Sequence, residues 1–276
     1  MKNAIWVLFI LGVLTSCSQK TFETLEWQNN KVVADGKINE WANPLRFYDH
    51  NSKINYAISN DRQNLYVCMK ISDETMLIKI LRGGMEFRID TLGKKTFPIA
   101  LLFPLPGQQM MLKDKKNGMP SEKSYGEKQN PLGYLQNLIN QIKTLQLVGF
   151  KPPNNGTQSL LNISTGISAA VNMDSLGIMY YEAIIPFKTF YKNELSIADT
   201  GKVFNYEIIV NALPSPKRES GNEGDMGGGS GMGGSGHRGG GGMYGGGRGA
   251  YGEHNSGNSE MFESNKIIEK MKFSIK

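Results

Sequence analysis

The sequence predicts an all-β protein: a two-sheet antiparallel β-sandwich of jelly-roll-like type, with one inserted helix and a long, disordered glycine-rich loop. Three observations carry this expectation. From Trp27 onward the chain is built of short β-branched and aromatic runs separated by turn residues. Apolar residues alternate within the runs, so Leu65, Val67, Met69 and Ile71 share one face, as do Tyr206, Ile208 and Val210. A single stretch departs from this pattern and spaces its apolar residues as a helix does.

The predicted strands occupy residues 53–59, 64–71, 85–90, 96–103, 166–174, 177–185, 203–212 and 266–275. Runs of this number and length belong to sandwiches and barrels, because each one-sided apolar face needs a covering sheet. The helical stretch begins with Asn130, a capping residue, and Pro131, which suits a first helical position. Leu132, Leu135, Leu138, Ile139, Ile142 and Leu145 then form a stripe, which predicts a helix over 130–146. Residues 221–257 hold 19 glycines among 37 residues. Such a stretch buries too little apolar surface to order itself, so about 217–259 is expected to be a disordered loop before the last strand. Lengthening a connection from about five to about forty-five residues costs only ~2 kcal/mol of closure entropy.

The amino terminus carries a different kind of signal. Lys2 supplies a positive start, residues 4–14 form an uncharged apolar run, and Leu14-Thr15-Ser16-Cys17 follows. The run is roughly half of the ~20 residues that a membrane-spanning helix needs. Leu-Thr-Ser-Cys resembles the bacterial lipobox, whose cysteine is acylated after the signal is removed. The resemblance implies a signal peptide over 1–16 and a lipidated tether over 17–30, and the strand pattern places a single β-sandwich domain over 31–276. Cys17 would then hold the protein to the membrane, since several acyl chains anchor stably where one does not. Ser18, in place of an acidic residue, resembles outer-membrane sorting. The expected location is the cell envelope.

The charge of +6 and pI near 9.1 come from lysines scattered among acids, which describes a solvated surface. Lys113, Lys115 and Lys116 are the densest group. Arg238-Gly239-Gly240 and Arg248-Gly249, near Tyr244 and Tyr251, resemble segments that bind single-stranded nucleic acid. Two arginines give little electrostatic grip and export removes the partner, so no nucleic acid is expected. With Cys17 acylated, Cys68 is the one thiol left, and inside an apparent strand it reads as a small buried residue. His50, His237 and His254 are too dispersed for a zinc site or a triad. Asp61, Asp73, Glu74, Asp90 and Glu182 are assigned turn and strand-end roles. The expectation is a non-catalytic protein without cofactor or metal.

Three stretches in order resemble family 9 carbohydrate-binding modules and the wider set of DOMON-like sandwiches. Residues 33–41 read Val-Ala-Asp-Gly-Lys-Ile-Asn-Glu-Trp, similar to the family's Asp-Gly-x-x-x-Glu/Asp-Trp opening. Residues 54–67 resemble its hairpin leading into Leu-Tyr-Val, followed by an acidic position matched by Asp73. Residues 180–187 read Tyr-Tyr-Glu-Ala-Ile-Ile-Pro-Phe, similar to its Tyr-x-x-Glu-x-x-Ile-Pro signature. Met85-Glu86-Phe87-Arg88-Ile89-Asp90 also resembles one of its strands.

The resemblance implies a sandwich that binds sugar by stacking rings on loop tryptophans. Beyond the signal only Trp27 and Trp41 are available. Trp41, inside the opening motif, reads first as a packing residue, and Tyr48 and His50 follow in the next loop. Trp41, Tyr48 and His50 are the candidate ligand-binding residues. The expected function is glycan binding by an envelope lipoprotein; an envelope structural or protein-interaction module with no sugar ligand is the alternative.

Overall fold

The computed structural model describes residues 23–106, 131–152, 155–161, 165–214 and 260–276. The segment expected to be a signal, Cys17 and the glycine-rich stretch lie outside the described residues. The first half of the chain forms β1 (Glu23–Thr24), β2 (Glu26–Trp27), β3 (Phe47–Asp49), β4 (Ile54–Asn60), β5 (Asn64–Ile71), α1 (Glu74–Gly83), β6 (Met85–Asp90) and β7 (Ile99–Leu102). The second forms α2 (Pro131–Asn140), β8 (Thr144–Val148), β9 (Gly156–Ser159), β10 (Ser168–Met173), β11 (Met179–Pro186), β12 (Val203–Val210) and β13 (Asn265–Lys272).

These elements make an all-β, two-sheet sandwich. One sheet runs β1-β13-β12-β6-β7-β8-β9, and the other runs β10-β11-β5-β4-β2 with β3 also paired to β4. All pairings are antiparallel except two short ones, β1 with β13 and β2 with β4, so both sheets are mixed. The alternation read from the sequence sets which face looks inward. Leu65, Val67, Met69 and Ile71 of β5 and Phe87 and Ile89 of β6 are all within 1 % of full burial. Phe187, Phe204 and Phe273 pack ring against ring at one end of this core, with centroids 4.9 and 4.3 Å apart.

Three features differ from the sequence reading. Residues 23–27, assigned to a tether, are strand-paired: β1 joins one sheet, β2 joins the other, and Leu25 between them is buried in the inter-sheet core. A short segment conceals this because Leu25 and Trp27 are its only apolar residues, too few to show a period. The predicted 130–146 helix ends at Asn140, and Leu145 belongs to β8. Leu145 and Leu147 flank Gln146 with a period of two, and in β8 that strand period prevails over the i, i+3 stripe. A second helix, α1, was not anticipated. Asp73 caps it by accepting from Met76 N at 2.9 Å, and Met76, Leu77, Ile80 and Leu81 bury one face of it.

Lys79 of α1 is 1 % exposed and its ammonium donates to Glu260 O, Glu263 O and Asn265 Oδ1. Burial lowers its pKa from the usual lysine value, with Glu260 and Glu263 opposing. The clamp fixes residues 260–265 where β12 ends, and Leu213 N donates to Met261 O at 2.8 Å across the same gap. The chain therefore leaves and re-enters the fold at one place. Replacing residues 217–259 by a short turn should keep cooperative unfolding and raise stability by up to about 2 kcal/mol, because the closure entropy shrinks. Urea unfolding checks this, and a broadened or lost transition would mean the replaced stretch packs on the domain.

Candidate functional site

Each sheet has an outer face, and that of the β10-β11-β5-β4-β2 sheet is covered by residues 28–46, a segment without regular structure except for a turn or bend. Val32, Trp41 and Leu45 from this cover, with Ile38, pack on Ala57, Tyr66, Cys68 and Ile184. A second apolar layer thus buries β4 and β5 on both sides. Cys68 is fully buried within it, and burial pushes its thiol up to unreactive values.

One carboxylate fastens the cover. Glu182 sits on β11 opposite Cys68 and is fully buried. Its Oε2 accepts from Gly36 N at 2.9 Å and Asp35 N at 3.2 Å, and its Oε1 accepts from Trp41 Nε1 at 2.8 Å. The Asp-Gly turn aims two amides at one oxygen because Gly36 adopts φ +75°. A Cβ at Gly36 would lie 2.5 Å from Asn172 Cβ and 2.8 Å from its backbone nitrogen, so no other residue fits. Burial raises the Glu182 pKa; the three donors oppose it, and Glu40 pushes the same way as burial. The sequence motifs at 35–41 and 180–187 are therefore two halves of one contact.

The three residues singled out from the sequence do not form one site. Trp41 is 9 % exposed, with its indole edge turned to Glu182. Tyr48 is 48 % exposed on β3 and packs edge-on against His50, centroids 4.8 Å apart. Neither Tyr48 nor His50 reaches the recess that Trp41 helps to line. That half-open recess, of about 250 Å³, lies between the cover and the β2–β4 edge. Trp27, Gln28, Asn30, Glu40 and Arg46 contribute to its wall. Sequence reasoning left out Trp27, since it was placed in the tether, and Glu40, since it was read only as a motif position.

The other carboxylates named from the sequence have turn or capping roles. Asp61 Oδ1 accepts from Gln63 N and Asn64 N, each at 2.6 Å, and its Oδ2 from Tyr66 OH at 2.6 Å. Asp90, fully buried, accepts from Leu92 N, Lys95 N and Asn205 Nδ2. Burial works against its ionisation, and these donors outweigh burial to hold it below the usual carboxylate value. Among the described residues no cluster of three or more His, Cys, Asp or Glu could hold a metal ion, and no helix is long and apolar enough to cross a membrane.

Fold and recess together define a two-sheet β-sandwich with a polar, tryptophan-walled recess at one edge. No protein-family model, curated protein or solved structure matches the chain.

Glu182→Ala should cost about 3 kcal/mol or more, because two buried donors and one part-buried donor lose their acceptor. The pH dependence has a defined sign. The folded pKa of Glu182 lies above its usual value of 4.5, so between the two values the folded state keeps a proton that the unfolded chain has lost. Wild type should therefore lose stability relative to Glu182→Gln as pH rises through that window. Denaturant unfolding of both proteins at stepped pH measures the difference; a difference that grows in favour of wild type with rising pH contradicts the assignment.

Proposed function

We propose that the protein is a lipid-anchored cell-envelope protein that binds a glycan, without catalysis, in the recess between the cover and the β2–β4 edge. The observation that carries this reading is the composition of the recess wall, which joins two tryptophans with planar polar side chains such as Gln28, Asn30 and Glu40. A sugar ring has an apolar face that suits an indole and a rim of hydroxyls that suits amides and carboxylates. Its volume is below the roughly 300–1,000 Å³ of sites for drug-sized ligands, which fits one ring at a chain end or branch. The reading moves the ligand contacts from Tyr48 and His50 to Trp27, Glu40 and the exposed part of Trp41.

The anchor supports the same picture. Among the described residues the first strand starts at Glu23, six residues after Cys17, so that strand lies within about 20 Å of the anchored residue. Trp27 and Gln28 follow directly, which puts the recess on the anchor-proximal part of the chain. The resemblance to family 9 carbohydrate-binding modules points to the same ligand class.

Two measurements test the proposal. On a glycan array the full chain in detergent should bind a defined subset of sugars, and Trp27→Ala should weaken that binding roughly ten- to hundredfold. Tyr48→Ala should leave it unchanged. A protein that binds no glycan, or one whose binding depends on Tyr48 and not on Trp27, would overturn the site. In cells, Cys17→Ala should move the protein out of the membrane fraction and abolish incorporation of labelled fatty acid; unchanged labelling would defeat the anchor.

A further inference from the structure

We infer that Glu40 makes the recess selective by charge, so that it takes a sugar presenting an amine or hydroxyl donor and rejects acidic sugars. This rests on the glycan-binding reading above. It starts from which polar groups in the wall are already engaged. The Gln28 amide donates to Asn30 O at 3.2 Å and Glu40 O at 3.5 Å, and its Oε1 accepts from Ser59 Oγ at 2.7 Å. Gln28 is thus held as a wall and has little left to offer a ligand. Arg46 Nη1 donates to Thr24 O at 3.0 Å, and the guanidinium lies 3.6 and 3.9 Å from the carboxylates of Glu23 and Glu26.

Glu40 is different. Its Oε2 is turned away from solvent and has no hydrogen-bond donor among the described residues. A carboxylate in the wall with no cation of its own among the described residues leaves the half-open recess at negative potential, which a cationic ligand relieves and an anionic one raises. A protonated amine gives a charge-assisted bond, roughly twice as strong as a neutral one. A hydroxyl gives an ordinary bond, and a second carboxylate gives repulsion.

The charge around the recess points the same way. Glu26 and Glu40 both line it, while the one guanidinium there is shared between Glu26 and Glu23. The local sum is negative, although the whole chain is +6. Acidic sugars drawn to the chain by its overall charge would therefore be turned away at the recess.

The experiment titrates the full chain in detergent with equal-length oligomers of glucosamine, glucose and galacturonic acid, under mildly acidic conditions where the amine is protonated. The expected order is glucosamine tightest, glucose next and galacturonic acid at least tenfold weaker than glucosamine. Glu40→Gln should bring the glucosamine and galacturonic acid affinities within about threefold, and added salt should narrow the wild-type gap. The wild-type order decides by itself if the variant fails to fold. Galacturonic acid binding as tightly as glucosamine, or an order unchanged in a folded Glu40→Gln, would overturn the inference and leave glycan binding standing. Failure of all three oligomers and of the glycan array would remove the glycan reading and this inference with it.

Discussion

The contact between Glu182 and the Asp35-Gly36 turn and Trp41 governs the outer side of this fold. A segment such as 28–46 has no ladder of its own, so it stays on a sheet only if side chains or a few backbone groups are fastened there. Here one carboxylate on a central strand gathers three donors from the segment, joining residues more than 140 positions apart in sequence. Trp41 is thereby held edge-in, and Val32 and Leu45 settle on Ala57, Tyr66 and Cys68 around it. A buried charge is a poor source of net stability, and a packing that left the Glu182 carboxylate buried without donors would cost several kcal/mol.

The recess is a consequence of the same contact. With Trp41 fixed, the adjacent Glu40 is held at the border of the cover, where it lines the recess together with Trp27 of the short β2 strand. Apolar packing lies on one side of that border and polar groups on the other. Mutations at Glu182 and at Glu40 should therefore separate: the first acts on folding and the second on recognition.

Much of the fold was legible in the sequence because period-two alternation is a direct image of burial. The 64–71 and 85–90 runs coincide with β5 and β6, and the 203–212 run contains β12. What was lost was lost for physical reasons. In β1 and β2, two-residue pairings around a single leucine leave no periodicity to read. The α1 helix carried its signals in plain sight: Asp73 as cap, Glu74 in the first turn, Arg82 in the last and Gly84 beyond it. Asp73 fits both the acidic position after the hairpin motif and a helix cap, and sequence alone does not separate the two. The site was less legible still. Trp41 and Glu182 each stood inside a recognised motif, but sequence does not say that the two motifs touch, and a tryptophan beside a loop reads equally as packing or as platform.

The central claim is that the Trp41 indole and the Glu182 carboxylate act as a pair in fastening the cover, and a double-mutant cycle tests it most directly. Trp41→Phe keeps an aromatic ring and removes the indole donor, Glu182→Gln removes the charge and alters the acceptor, and the double variant removes both. Unfolding free energies of the four proteins should give a coupling of at least about 1 kcal/mol, as expected for directly bonded groups. Additivity within about 0.3–0.5 kcal/mol, the behaviour of independent sites, would contradict the claim.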